Sequence, residues 1–200
     1  MRAAELIPNF VGQHALVLHR PHPVVDAIAR QLGQLGMECS QAWPDIAPGH
    51  LGFDHLFFDA DMGHDGQFPW TPGAAPVPTI ALIGSEAPGR IAWAIQNGAD
   101  AHLLKPVGSA GIYSALVIAT TAFRQRAVLE GELVSLRRQL DRRQALAEAT
   151  ALVMQCECCD ADSAYALLRQ RAMEQRLTIE DLAVRLLDDR GGPDERRSRA

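Results

Sequence analysis

Lysine is almost missing from this chain: Lys105 is the single one among 19 basic residues in a length of 200. Arginine therefore carries nearly all the positive charge, and its planar fork matches phosphate geometry and stacks on bases as an ammonium does not. Long apolar runs are missing too. No stretch of about 18 apolar residues occurs, so no membrane-spanning helix is expected. The opening Met1-Arg2-Ala3-Ala4-Glu5 lacks a signal-peptide apolar core. Cysteine is scarce. Cys39 stands alone, while Cys156, Cys158 and Cys159 crowd together, which is no disulfide framework and suits a reducing cytoplasm. Zinc would want four ligands, and neither a histidine nor a fourth cysteine stands near that cluster. It reads as loop-edge packing, with no metal. The sequence holds no Gly-rich phosphate loop, nucleophile elbow or zinc-protease motif. The expectation is a binding protein, not an enzyme, with no cofactor.

What is present divides in two. The net charge of -5 is carried by residues 1–123, which hold five basic and ten acidic side chains; residues 124–200 hold fourteen of each. In the first part, apolar strands alternate with helical stripes. His14–His19, Met37–Ala42, His55–Phe58, Thr79–Ile83 and Ala101–Leu104 read as strands. Val24–Leu35 and Arg90–Asn97 read as helices, stopped by Gly36 and Gly98. This rhythm predicts a doubly wound parallel sheet of five strands. Gly63–Pro78 holds Pro69, Pro72, Pro76 and Pro78. A proline inside a helix costs about 3 kcal/mol, so a loop or one short turn is expected there.

From Gly111 onward the pattern is helical, with no proline between Pro106 and Pro193. Leu129, Leu133, Leu136 and Leu140 are spaced as an a/d seam of about two heptads. A helix over 110–154 would be roughly 65 Å long at 1.5 Å per residue. A compact chain cannot bury all of it, so the seam predicts a homodimer. Cys156–Asp162 reads as a polar break, with Asp160 or Asp162 capping a helix to about Arg176. Thr178, with Asp181 three residues on, would cap a last helix to about Leu187. The expected boundaries are a sheet domain over 12–122, a coiled-coil linker over 123–140, a three-helix domain over 141–190 and a disordered tail over 191–200.

The strand ending Asp54-His-Leu-Phe-Phe-Asp59-Ala-Asp-Met62, with the later Lys105-Pro106, resembles the response-regulator receiver domain. The resemblance implies that Asp59 stands where a receiver accepts a phosphoryl group and that Lys105 contacts it. Receivers carry an acidic pair after the first strand to hold Mg²⁺, where this chain has His19-Arg20. They place a hydroxyl at the end of the fourth strand, where this chain has Ile83. Mg²⁺ needs oxygen ligands, so the pocket of Asp59, Lys105, His19, Arg20 and Ile83 is read as degenerate. Arg20 is expected beside Asp59 as a substitute cation. The domain is read as a pseudo-receiver that works by protein contact.

Farther on, Leu146-Ala-Glu-Ala149-Thr-Ala151-Leu-Val-Met154, Ala164-Tyr165-Ala-Leu167-Leu168-Arg169-Gln-Arg171-Ala172-Met173 and Leu182-Ala183-Val-Arg-Leu186-Leu187 form an ordered set over three helices. Small alanines let such helices approach while leucines fill the shared core. This set resembles the ANTAR domain of transcription antitermination regulators. With the receiver-like part and the linker, the whole chain is similar to the AmiR-type regulators of amidase operons. The resemblance implies a dimer that binds a hairpin in nascent leader mRNA, restrained by a ligand-sensing inhibitor protein of the amide-binding type.

Hairpin loops are read by stacking on aromatics or arginines and through phosphates. Tyr165 and Arg169, four apart, share a helix face, with Arg171 and Arg176 flanking them. Tyr165 equally suits a core position with its hydroxyl at the rim. Thr150 stands where the family carries a lysine, which would lose a phosphate contact or move it to Arg142 and Arg143. Two other readings stay open: a DNA-binding response regulator, and a phosphorylation-controlled protein-interaction module.

Overall fold

The computed structural model describes residues 8–47, 50, 52–108 and 110–191. These form two compact units, divided after Val128. In the first, five parallel strands stand in the order β2-β1-β3-β4-β5. They are β1 (His14–Leu18), β2 (Glu38–Ala42), β3 (His55–Asp59), β4 (Thr79–Ile83) and β5 (Ala101–Leu104). Helices α1 (Pro23–Gln34) and α2 (Pro88–Gln96) lie between them, and α3 (Ile112–Glu157) follows. Every residue of β3 and β4 is buried. That is why these strands read as unbroken apolar runs and not as alternating ones.

The two faces of the sheet are covered differently. On one, Val17, Phe57, Ile80 and Leu82 pack against Val25, Ile28 and Leu32 of α1 and Ile112, Leu116 and Ala119 of α3. On the other, Leu16, Phe58, Ala81 and Ile83 meet Trp93 and Ala94 of α2, and loop residues Ile46, Phe53, Phe68 and Trp70 add to the cover. The proline-rich segment is a loop, as its composition predicts. Its aromatics share the covering with α2: Phe68 stacks on Trp70 at 5.6 Å, and Phe58 meets Phe68 and, from α2, Trp93 edge-on at 5.4 and 5.9 Å. Gly63 lets Trp93 lie against the loop backbone, since a Cβ there would fall 2.2 Å from the indole ring.

At the sheet's opposite end, Asp100 accepts from the Thr79 N–H at 3.0 Å and from Arg126 Nη1 at 2.6 Å. This ties the start of α3 to the sheet. Burial raises the Asp100 carboxyl, against the pull of the Thr79 and Arg126 bonds.

The second unit contains the end of α3, α4 (Ala161–Gln175) and α5 (Ile179–Gly191). Ala149, Val153, Ala164, Leu168, Ala172, Leu182 and Ala183 form its core. Asp160 caps α4 by accepting the Ser163 N–H at 2.8 Å, and Thr178 caps α5 through the Asp181 N–H at 3.1 Å. The polar break is shorter than its composition suggests, because α3 runs on to Glu157 and ends at Cys158, whose φ is 50°. Helix α5 passes Leu187 and runs to Gly191. The cysteines do not pack as a group: Cys159 touches the core, whereas Cys156 and Cys158 are exposed. Every residue from Ala127 to Gln144 is exposed. The tail predicted to be disordered lies outside the described residues from 192 onward. No helix among the described residues is long and apolar enough to cross a membrane.

Candidate functional site

Strands β1, β3, β4 and β5 end together at one edge of the sheet, because a parallel sheet places all carboxyl ends on one side. That edge is where ligands meet open α/β sheets. Here the strand ends deliver His19, Asp59, Gly84 and Lys105. A cleft of about 360 Å³ opens among His19, Arg20, His22, Asp59, Asp61, Met62, Lys105 and Pro106.

Asp59 sits at its floor with 1% of its side chain exposed. Both of its oxygens are engaged. Oδ1 accepts from Lys105 Nζ at 2.7 Å and from the Asp61 N–H at 3.0 Å. Oδ2 lies 3.1 Å from His19 Nε2, without the alignment of a hydrogen bond. His19 is itself buried, its N–H donating to Ala42 O at 3.1 Å and its Nδ1 2.7 Å from Arg20 O. The residue that meets Asp59 is thus His19. Arg20, expected in that place, is exposed at the mouth of the cleft, and among the described residues it forms no ion pair with either carboxylate. The physical reason is local: the His19 N–H continues the ladder to β2, which keeps its ring over the sheet edge, and the chain turns outward at the next residue. Ile83 is buried at the end of β4 and brings no hydroxyl.

Sequence reasoning missed Asp61. Its carboxylate takes Lys105 Nζ at 2.6 Å, the Gly84 N–H at 2.8 Å and the Ser85 N–H at 3.1 Å. Burial pushes this carboxyl up, but the Lys105 ammonium and the two amide bonds outweigh it and hold Asp61 below its ordinary value. The available signal was its position two residues after Asp59. Lys105 therefore bridges two carboxylates. Among the described residues, no three His, Cys, Asp or Glu side chains converge on a metal-sized space.

In the second unit, Tyr165 is 45% exposed and lies outside the core, and Arg169, Met173 and Arg176 are exposed as well. Their spacing places Tyr165, Arg169 and Met173 on one face of α4. Arg176 ends that helix with φ 56°. Arg171 faces elsewhere and pairs with Glu157 at 2.8 Å. Arg142 lies 3.3 Å from Asp181. Arg142 and Arg143 line a shallow cleft of about 280 Å³ with Gln139, Thr178 and Glu180. The Thr150 hydroxyl turns back onto Leu146 O at 2.7 Å. Leu129, Leu133, Leu136 and Leu140 are 60%, 54%, 56% and 64% exposed.

Residues 13–120 match the family model "AmiR, N-terminal", and residues 135–187 match "ANTAR domain". An aliphatic amidase regulator of Pseudomonas aeruginosa is 26% identical over 190 residues, covering 94% of this chain and 97% of that protein. The transcriptional regulatory protein PdtaR of Mycobacterium tuberculosis is 27% identical over 116 residues, 58% of this chain and 57% of that protein. Among solved structures, a response regulator of Thermotoga maritima matches with TM-score 0.46 at 14% identity, over 56% of this chain and 99% of that one. With one family model spanning the sheet unit and the other the helical end, the chain belongs to the AmiR family of transcription antitermination regulators.

Proposed function

We propose that this regulator acts as a dimer that binds a hairpin in leader mRNA through its C-terminal unit, under the control of a protein contacting its receiver-like unit. The observation that carries the RNA reading is the face of α4. An aromatic ring and a guanidinium, Tyr165 and Arg169, stand exposed one turn apart on a helix whose adjacent face is sealed by Ala164, Leu168 and Ala172. A ring and a fork at that spacing suit unstacked loop bases and the phosphates beside them. Arg143 and Arg176 add exposed guanidiniums in the same unit, and Arg142 joins them on leaving Asp181. Arg171 enters only after leaving Glu157.

Dimerisation is supported by the leucines of α3. A stretch from Ala127 to Gln144 with nothing buried has no stabilising apolar face of its own, and isolated helices are marginal in water. Pairing the Leu129–Leu140 seam with a second copy supplies that face and sets two RNA surfaces at high effective concentration.

Control by contact is supported by the state of Asp59. Its oxygens already face His19, Lys105 and a backbone amide, and the acidic pair for a charge-neutralising cation is replaced by imidazole and guanidinium. Phosphoryl transfer depends on that neutralisation. A sensor protein of the amide-binding type is the partner this reading assigns. Against entry of α5 into a DNA major groove stand its acidic residues Glu180, Asp181, Asp188 and Asp189.

The test is a gel shift of the full chain with the transcribed leader of the operon that carries it, against duplex DNA of the same sequence. The expected result is retention of the folded RNA alone. Equal affinity for the duplex would favour the DNA-binding reading, and indifference to both would end the RNA reading.

A further inference from the structure

The carboxyl edge of the sheet contains an anion-binding cradle beside Asp59. Two consecutive backbone N–H groups, of Gly84 and Ser85, point toward one spot after β4, and Lys105 Nζ reaches the same spot from β5. Two amides and an ammonium on one centre form a concavity for an oxyanion: adjacent N–H dipoles supply fixed partial positive charge and the ammonium supplies a full one. The cradle is filled by the chain's own Asp61, at 2.8, 3.1 and 2.6 Å from those three donors. Gly84 is shaped to the occupant. A Cβ there would fall 2.7 Å from Asp61 Oδ2 and 3.3 Å from Lys105 Cε, so only glycine lets the carboxylate seat. The depressed carboxyl of Asp61 agrees with an anion held by these donors.

We propose that Asp61 is a resident anion that occupies an oxyanion site at the ends of β4 and β5, closing it to external phosphate or phosphoryl oxygens. The site takes a carboxylate or a tetrahedral oxyanion by its donor chemistry, and the tethered carboxylate wins because it is always present. A tether of two residues from Asp59 gives it an effective concentration that millimolar free phosphate does not match. The three loops after β3, β4 and β5 are thus held in one arrangement by a group that needs no partner enzyme to install it. Release of this arrangement would require a partner that draws Asp61 out.

The inference stands apart from RNA binding and is read on amides of the first unit, so its failure would leave the RNA reading untouched. The experiment is a titration of the full chain with sodium phosphate, at ionic strength held constant with sodium chloride, following the Gly84 and Ser85 amide resonances. The same titration is made on Asp61→Ala, with sodium sulfate as a second probe. In the unaltered chain the two amides should stay in place. In Asp61→Ala they should shift saturably, with apparent phosphate affinity at least tenfold tighter than in the unaltered chain. Amides that titrate alike in both proteins, or stay silent in a folded Asp61→Ala, would overturn the proposal. Should Asp61→Ala not fold, Asp61→Asn supplies the reading. Loss of the charged acceptor should move the Gly84 and Ser85 amide protons upfield, and unchanged resonances would overturn the proposal equally.

Discussion

His19 Nε2 lies 3.1 Å from Asp59 Oδ2, with 2% and 1% of the two side chains exposed. A buried imidazole thus stands against the carboxylate that a phosphorylatable site would keep open. With Lys105 on the other oxygen, both oxygens of Asp59 are engaged.

Removing Lys105 should be costly. It is the cation shared by Asp59 and Asp61, and its side chain is 17% exposed. Lys105→Met leaves two carboxylates facing each other, one of them buried. Breaking a buried pair by deleting one partner costs about 3–5 kcal/mol. Urea unfolding followed by tryptophan fluorescence reports this unit alone, since Trp43, Trp70 and Trp93 all lie in it. A loss under about 1 kcal/mol would show that the carboxylates do not lean on Lys105.

Acid should weaken the same unit through His55. This residue is buried between β3 and α3, with Nε2 3.1 Å from Thr120 Oγ1, and burial lowers its pKa from 6.5 to about 4. In the unfolded chain the ring takes its proton near pH 6.5, and in the folded protein near pH 4. Between those values the unfolded state binds more protons. The stability contribution is therefore whole above pH 6.5 and drains away as pH falls toward 4, by about 3 kcal/mol in total. His55→Leu should flatten the acid limb of a plot of unfolding free energy against pH. An unaltered limb would assign the acid sensitivity to other groups.

Leu133→Asp combined with Leu136→Asp should give monomers, because a/d positions of a paired seam do not accept carboxylates. Both leucines are exposed on α3, at 54% and 56%, so neither core is touched, while the unpaired stretch from Ala127 to Gln144 should lose helicity in the monomer. Analytical ultracentrifugation with circular dichroism reads both. Persistent dimers would place the interface elsewhere.

Arg169→Ala should weaken leader-RNA binding about tenfold, within the 1–3 kcal/mol that stacking and cationic contacts contribute per base. Tyr165→Ala should act similarly. Neither side chain belongs to the three-helix core, so thermal unfolding should hardly move. Affinity equal to the unaltered chain in a filter-binding assay would remove these residues from the surface.

The sheet, its strand limits and the three-helix end were legible in the residues because each rests on a local pattern. Strands buried on both faces leave unbroken apolar runs, as in Leu56-Phe57-Phe58 and Ile80-Ala81-Leu82. Helix ends leave caps, as with Asp160 and Thr178. The aromatic cover over the second face was not legible. Phe68 and Trp70 sit in a proline-rich loop whose composition says only that no helix forms. Asp61 was missed for a similar reason, since nothing in Asp-Ala-Asp says which carboxylate faces down and which turns toward β4.

By itself, the sequence determined that Asp59 and Lys105 end strands of one parallel sheet, and that Tyr165 and Arg169 share a helix face. Periodicity sets both within a single element or by a rule of topology. Only the tertiary structure decided that His19, and not Arg20, meets Asp59, that Asp61 rests on the amides of Gly84 and Ser85, and that Tyr165 faces outward. Those outcomes depend on angstrom-scale convergence of segments far apart in the chain, which burial and hydrogen-bond completion select and no local pattern encodes.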